Sequence, residues 1–202
     1  PWVIFQSAGW VNFQSAPTPN PPKQEICCSR MFGQRLTDLA PIKEAVSTYA
    51  SRAAEKLRAQ ESVCKRLRVS VRTGMFNPEE AKYANGVLVE LPYPTDDTRL
   101  LTKAALQGVE RIYREGFRYS KAEVLLLDLS QRGEITGDLF AESQPVSSER
   151  LMGVLDSVNA RWGRGTLRLA SVPVNPSWGM RREMMSQSFT TKMDELWTVY
   201  CR

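Results

Sequence analysis

From Cys64 to Gly74 the chain reads CKRLRVSVRTG, a run in which polar and apolar residues alternate. Arg66, Arg68, Ser70 and Arg72 fall on one side, and Leu67, Val69 and Val71 on the other. Successive side chains of a strand point to opposite faces of the sheet. The pattern therefore predicts a strand with one greasy face and one row of guanidinium groups.

The neighbouring segments have patterns of their own. KQEICCSRMFG predicts a strand ending at Gly33. PIKEAVSTYASRAAEKLRAQE sets Ile42, Val46, Tyr49, Ala50, Ala53 and Leu57 at helical spacing, with Pro41 suited to a first turn. After the arginine strand, NPEEAKYANG reads as a loop and VLVELP as a short strand. PTDDTRLLTKAALQGVERIYREG predicts a helix with Thr95 and Asp97 as cap candidates and an apolar stripe of Leu101, Ala105, Val109 and Ile112. Gly116 is its expected stop. KAEVLLLDLS is a further strand. The order β-α-β-β-α-β predicts an α+β fold of the ferredoxin-like, split βαβ kind: a four-stranded antiparallel sheet with two helices on one face. The other face stays open, and the row at Arg66, Arg68 and Arg72 belongs there.

The last strand complicates this picture. Leu125, Leu127 and Leu129 alternate with Ala122, Val124 and Leu126, so both faces are apolar. A half-exposed strand is polar on one face, which leads us to expect that residues after 131 cover part of the outer one. In that tail QRGEITGDLFAESQPVSS reads as a loop. SSERLMGVLDSVNARWG reads as a helix with Ser148 as cap, Leu151, Val154, Leu155 and Val158 inside, and Gly163 at its end. GTLRLASVPV predicts a short strand, so the tail is expected to be a small α/β extension. Residues 1–22, with prolines at 17, 19, 21 and 22, read as an extended linker or tail. The expected division is thus 1–22, 23–131 and 132–202.

Composition narrows the chemistry. Of 202 residues 42% are hydrophobic, enough for a core, yet no apolar run approaches the roughly 18 residues of a membrane span. The opening PWVIFQSAGW lacks a positive leader, so no signal peptide is expected. Cys27, Cys28, Cys64 and Cys201 lack metal-ligand spacing, and two are adjacent, which suits a reduced, cytoplasmic protein. The chain contains no histidine. That removes the commonest general base, the Ser-His and Cys-His nucleophiles and the commonest zinc ligand. No acidic pair stands in a motif either, so no catalytic residue and no metal ligand is assigned. Residues 23–73 carry a net charge of +6, residues 74–145 a net −4 and residues 146–202 a net +3. A basic first third with an arginine-faced strand fits a phosphate-bearing partner; a solvated sheet face fits the same charges.

Longer stretches resemble one family. KQEICCSRMFGQRLTD, YASRAAEKLR and RYSKAEVLLLDL are similar to the little-finger domain of UmuC-type Y-family DNA polymerases. LMGVLDSVNARWGRGTLRLAS and WGMRREMMSQSFTTKMDELWTV resemble the carboxy-terminal extension of the same proteins. The resemblance implies the same β-α-β-β-α-β order, with the open sheet face laid on template-primer DNA. It implies a role in translesion synthesis during SOS repair and mutagenesis. It also implies that nucleotidyl transfer and its Mg2+ ions belong to a palm domain preceding this part, so that these residues need no cofactor and do not catalyse by themselves.

Several residue assignments follow from the resemblance. Ser29 and Arg30 match the strand that touches the template backbone, with Phe32 in the core. With Arg66, Arg68, Ser70 and Arg72 they make the candidate DNA-binding set. Family members commonly bind the sliding clamp through glutamine-leucine-any-leucine-phenylalanine just after the little finger. Thr136-Gly137-Asp138-Leu139-Phe140 occupies that place. Leu139 and Phe140 match, whereas Thr136 and Gly137 depart from the motif, so the pair either binds a clamp or docks the loop on its own domain. A RecA filament and a UmuD-like subunit are the other implied partners; no membrane is implied. Arg181 and Arg182 read as surface groups or extra phosphate contacts, and Tyr49 and Trp162 as core. Two other classes compete: a protein-interaction module, and an unrelated ferredoxin-like RNA binder. Against the latter, the central strands carry no aromatic pair of the sort that stacks single-stranded bases.

Overall fold

A computed structural model of the protein describes residues 22–134 and 143–180. The elements run β1 (Ile26–Leu36), α1 (Leu39–Ala59), β2 (Ser62–Thr73), β3 (Ala84–Thr95), α2 (Thr98–Ile112), β4 (Tyr119–Gln131) and α3 (Val146–Trp162). The strands form one antiparallel sheet in the order β1-β4-β2-β3, which is the expected β-α-β-β-α-β arrangement. Both α1 and α2 lie on one face. Beneath them Ile26, Cys28 and Phe32 of β1, Leu67, Val69 and Val71 of β2, and Ala122, Val124 and Leu126 of β4 are buried against Ile42, Val46, Tyr49, Ala53, Leu101, Ala105 and Val109. Close approach of α2 depends on Gly108. A Cβ there would stand 3.2 Å from Val69 Cγ2 and 3.3 Å from methyl groups of Val87 and Val89.

Caps and ends differ in detail from the sequence pattern. Asp97 caps α2, accepting from the Arg99 backbone N–H at 2.8 Å. Thr95 does not cap it; its hydroxyl accepts from the Asp97 N–H at 3.1 Å and so supports the cap from behind. The helix ends at Ile112, four residues before Gly116, whose φ of +88° instead serves the turn into β4.

The extension is where the expectation fails most clearly. Residues 165–174 make turns rather than a strand. Pro145, not Ser148, precedes α3, and the buried Ser148 hydroxyl accepts from Arg99 at 3.1 Å. Met152 is the buried apolar residue of α3, while Leu151, Val154 and Trp162 are exposed. The described extension residues pack on α1, the β1 edge and the start of α2; residues 135–142 and 181–202, also expected to cover the outer side of β4, lie outside the described residues. Trp178 stands edge-on to Phe32 and Tyr49, its ring N–H donates to Glu44, and its carbonyl accepts from the Gly33 N–H at 3.0 Å. Arg58 of α1 donates two bonds to Asp156 of α3, at 2.6 and 2.7 Å.

Part of the apolar excess of β4 has a cause within the strand itself. Asp128 adopts a left-handed backbone, φ 51°. Beyond it Leu129 pairs with the fully buried Cys64 and packs on the core, while Leu125 and Leu127 stay half-buried on the open face. The three leucines therefore do not share one face. Among the described residues no helix is long and apolar enough to cross a membrane.

Candidate nucleic-acid interface

Strand pairing turns the arginine row into a two-dimensional array. Across the open face Leu127 lies beside Arg66 and Glu90; Cys27 beside Leu125, Arg68 and Leu88; Ser29 beside Glu123, Ser70 and Gly86; and Met31 beside Lys121, Arg72 and Ala84. Residues 66, 68, 70 and 72 are thus brought together as the alternation predicts. Leu67, Val69 and Val71, pointing the other way, are buried under the helices.

The three arginines are not equivalent. Arg66 donates to the carboxylate of Asp128, and Glu90 lies across from it. That hydrogen bond holds the Asp128 carboxyl below the ordinary carboxylate range and raises Arg66 above its own. Arg68 and Arg72 are exposed and make no ion pair among the described residues. Arg68 crosses Gly86, where a Cβ would meet its Nε at 3.0 Å and one terminal nitrogen at 3.2 Å. Beside it lies a hollow of about 430 Å³, bounded by Arg68, Ser70, Arg72, Asn85, Lys121 and Glu123. Lys121 pairs with Glu123 at 3.0 Å, and Ser70 reaches the same carboxylate at 3.5 Å. Three cations against one carboxylate give this hollow a net positive lining, open to water.

Ser29 and Arg30 separate. Ser29 pairs with Glu123 and joins the open face. Arg30 pairs with the buried Ala122, so it points to the helix side, where it borders a groove of about 740 Å³ between α1, α3 and the loop after α3. Leu139, Phe140, Arg181 and Arg182 lie outside the described residues. Tyr49 is core, its hydroxyl pushed up to about 12 by burial; Trp162 is exposed, with Arg161 over its ring. Lys121, Asn85, Gly86 and Asp128 escaped the sequence reading. Lys121 stood in a legible alternation with Glu123, but only the register of β4 on β2 sets it beside Arg72.

Comparison with known proteins places the sequence in a family. The model of the impB/mucB/samB family C-terminal domain matches residues 23–139, and that of a domain of unknown function matches residues 149–199. Protein UmuC of Salmonella typhimurium is 42% identical over 177 residues, covering 87% of this chain and 42% of that protein. Protein ImpB of Salmonella typhimurium is 42% identical over 187 residues, covering 92% of this chain and 43% of that protein. The chain thus spans less than half the length of the curated relatives it matches. A solved Y-family DNA polymerase chimera overlays 57% of this chain and 31% of its own at 12% identity, with a TM-score of 0.40. The chain belongs to the impB/mucB/samB family, as its resemblance to UmuC-type Y-family polymerases implied, and carries that family's C-terminal domain.

Proposed function

We propose that this chain is the DNA-gripping little-finger portion of a UmuC-like lesion-bypass polymerase. Its open sheet face holds the template-primer backbone without reading sequence. In this reading residues 23–131 grip, residues 132–202 brace them, and nucleotidyl transfer belongs to a separate palm.

The supporting observation is the pair Arg68 and Arg72, unmatched by carboxylates among the described residues and joined by Lys121 around one hollow. Four residues apart on one strand, the two arginines stand about 13 Å from each other, about two phosphate repeats of an extended backbone. Phosphate contacts of this kind give affinity and orientation but no base readout. Arg66, engaged by Asp128, and Arg30, on the helix side, contribute less.

The test is a salt titration of primed duplex, single-stranded DNA and RNA with the full chain. Replacing Arg68 and Arg72 by alanine should flatten the slope of log affinity against log salt by about 1.8 on duplex, at about 0.9 per phosphate. The melting temperature should stay unchanged, because neither side chain enters the core. Parental affinity and slope in a normally folded double variant would place the grip elsewhere; preference for RNA would favour an RNA binder. Primer extension with Mg2+ and all four deoxynucleotides should give no product from the pure chain.

A second reading has its own support. Val146, Leu151, Val154 and Trp162 leave an exposed apolar side on α3, and a protein partner such as a sliding clamp, a RecA filament or a UmuD-like subunit would cover it. Retention of one of these on the immobilised chain, lost in Val154→Asp, would support that role alongside DNA binding.

A further inference from the structure

Beyond the arginine pair, β2 runs into a loop whose tip carries Met75 and Phe76. Met75 is exposed, and Phe76 is fully exposed. Single exposed apolar residues are ordinary on protein surfaces. An aromatic ring held wholly in water on a fixed loop is a different case.

This loop is fixed from several sides. Arg35 of β1 reaches over to bond both carboxylate oxygens of Glu80 at 3.2 Å, and the Glu80 side chain is nearly buried. Gly74 makes room for that pair: a Cβ there would stand 2.3 Å from Glu80 Oε2 and 2.7 Å from an Arg35 nitrogen. Asn77 Oδ1 accepts from the Glu79 N–H at 3.1 Å. Lys82 Nζ donates to the carbonyls of Gly74 and Asn77. At the neck, the Thr73 N–H donates to the Tyr83 carbonyl, and the Tyr83 N–H donates to the Thr73 hydroxyl. A ring presented by such a loop loses little further freedom when it meets a ligand.

Its position points to the ligand. Phe76 follows Arg72 by four residues, so their Cα atoms are at most ~14 Å apart, about two nucleotide steps. Arg72 and Lys121 form the row of the open face nearest this end, and Met31 in the same row is exposed. Arg35 meets the charge of Glu80, leaving Lys82 and Arg72 against Glu79 beside the tip.

We propose that Phe76 is a stacking platform for an unpaired nucleobase where one strand leaves the duplex held by the open face. An aromatic face beside a cationic track is the arrangement by which proteins hold single strands regardless of sequence. This proposal rests on the DNA-gripping reading, so the test separates the two.

Anisotropy titrations of the full chain would use a primed template with a single-stranded overhang and a blunt duplex of equal length. Phe76→Ala should weaken junction binding about tenfold while leaving blunt-duplex affinity, melting temperature and salt slope unchanged, because a stacked base releases no counterions. Phe76→Trp should keep junction affinity, its added emission quenched by the overhang, and Phe76→Leu should not. Parental junction affinity in Phe76→Ala, equal losses on both DNAs, or full rescue by leucine would each overturn the platform while leaving the grip intact. Failure of the parental chain to bind either DNA would overturn both.

Discussion

Arg58 and Arg68 stand on opposite sides of one fold and do opposite work. Arg58, on the helix side, is almost wholly buried and its donors are consumed internally. Its Nε and one terminal nitrogen hold Asp156, and the other terminal nitrogen donates to the Asp96 carbonyl at 3.0 Å and the Thr98 hydroxyl at 2.8 Å. Arg68, on the open face, lies over a glycine in water with no carboxylate partner among the described residues. A guanidinium carries five donors in a planar fork. Where the chain supplies the matching oxygens, the residue is glue; where it supplies none, the donors are left for an outside anion. Net charge cannot distinguish the two, since both residues sit in the same basic third of the sequence.

The helix side should therefore yield stability effects without binding effects. The largest is expected at Trp178, which fills the angle between Phe32 and Tyr49 at ring distances of 6.4 and 5.9 Å. Trp178→Ala should cost about 3–5 kcal/mol, as large-to-small changes in cores do. At about 2–4 °C per kcal/mol for a chain of this size, the melting temperature should fall by roughly 10 °C. Below the transition, DNA affinity should match the parent. An unchanged melting temperature would mean that residues 143–180 behave as an independent module. Weaker DNA binding by folded Trp178→Ala would mean that the two faces are coupled.

The comparison itself is sharpest when one chemical change is made on both sides. Arg58→Met leaves the Asp96 carbonyl, Thr98 and Asp156 without their donor, and Asp156, being partly exposed, recovers water. A loss of about 2–3 kcal/mol in thermal unfolding is expected, with no change in salt slope. Arg68→Met should melt like the parent and lose about 0.9 of slope on duplex DNA. If the two variants exchange these effects, or share them, the division into glue and grip is wrong.

Much of this was legible because a strand has a period of two and a helix one of 3.6. Leu67, Val69 and Val71 announced the buried face of β2, and Ile42, Val46 and Tyr49 that of α1. The failures share a cause, which is that they depend on partners far away in sequence. Nothing local to Asp128 says that it will turn left-handed, capture Arg66 and send Leu129 to the core. Nothing local to Arg30 says that its neighbour across the sheet is Ala122. In α3 the apolar count suggested Leu151 and Val154, but polar ties set its rotation: Ser148 to Arg99 and Asp156 to Arg58 turn Met152 inward instead. The family resemblance carried the fold correctly but could not tell an engaged arginine from an unengaged one.

Asp128 offers the smallest and most discriminating test, because it asks for a gain. Its carboxylate accepts from Arg66, and that bond holds it below the usual carboxylate range. The folded-state value is depressed, so the pairing is present above the ordinary value of about 3.9 and lost only as the pH falls through the lower, folded one. Both groups are exposed, so its removal should leave the melting temperature nearly unchanged. Asp128→Asn removes the charge, keeps a residue that tolerates the left-handed backbone, and releases Arg66 to a phosphate. Duplex binding should tighten a few-fold and the salt slope steepen by about 0.9. Between pH 5 and 8 the gain should be constant, since Asp128 stays ionised throughout in the parent. Arg66→Ala should abolish the gain in the double variant while barely weakening the parent. Equal losses from Arg66→Ala and Arg68→Ala in the parent would show that Asp128 does not compete with DNA, and that the three arginines of β2 act as one row after all.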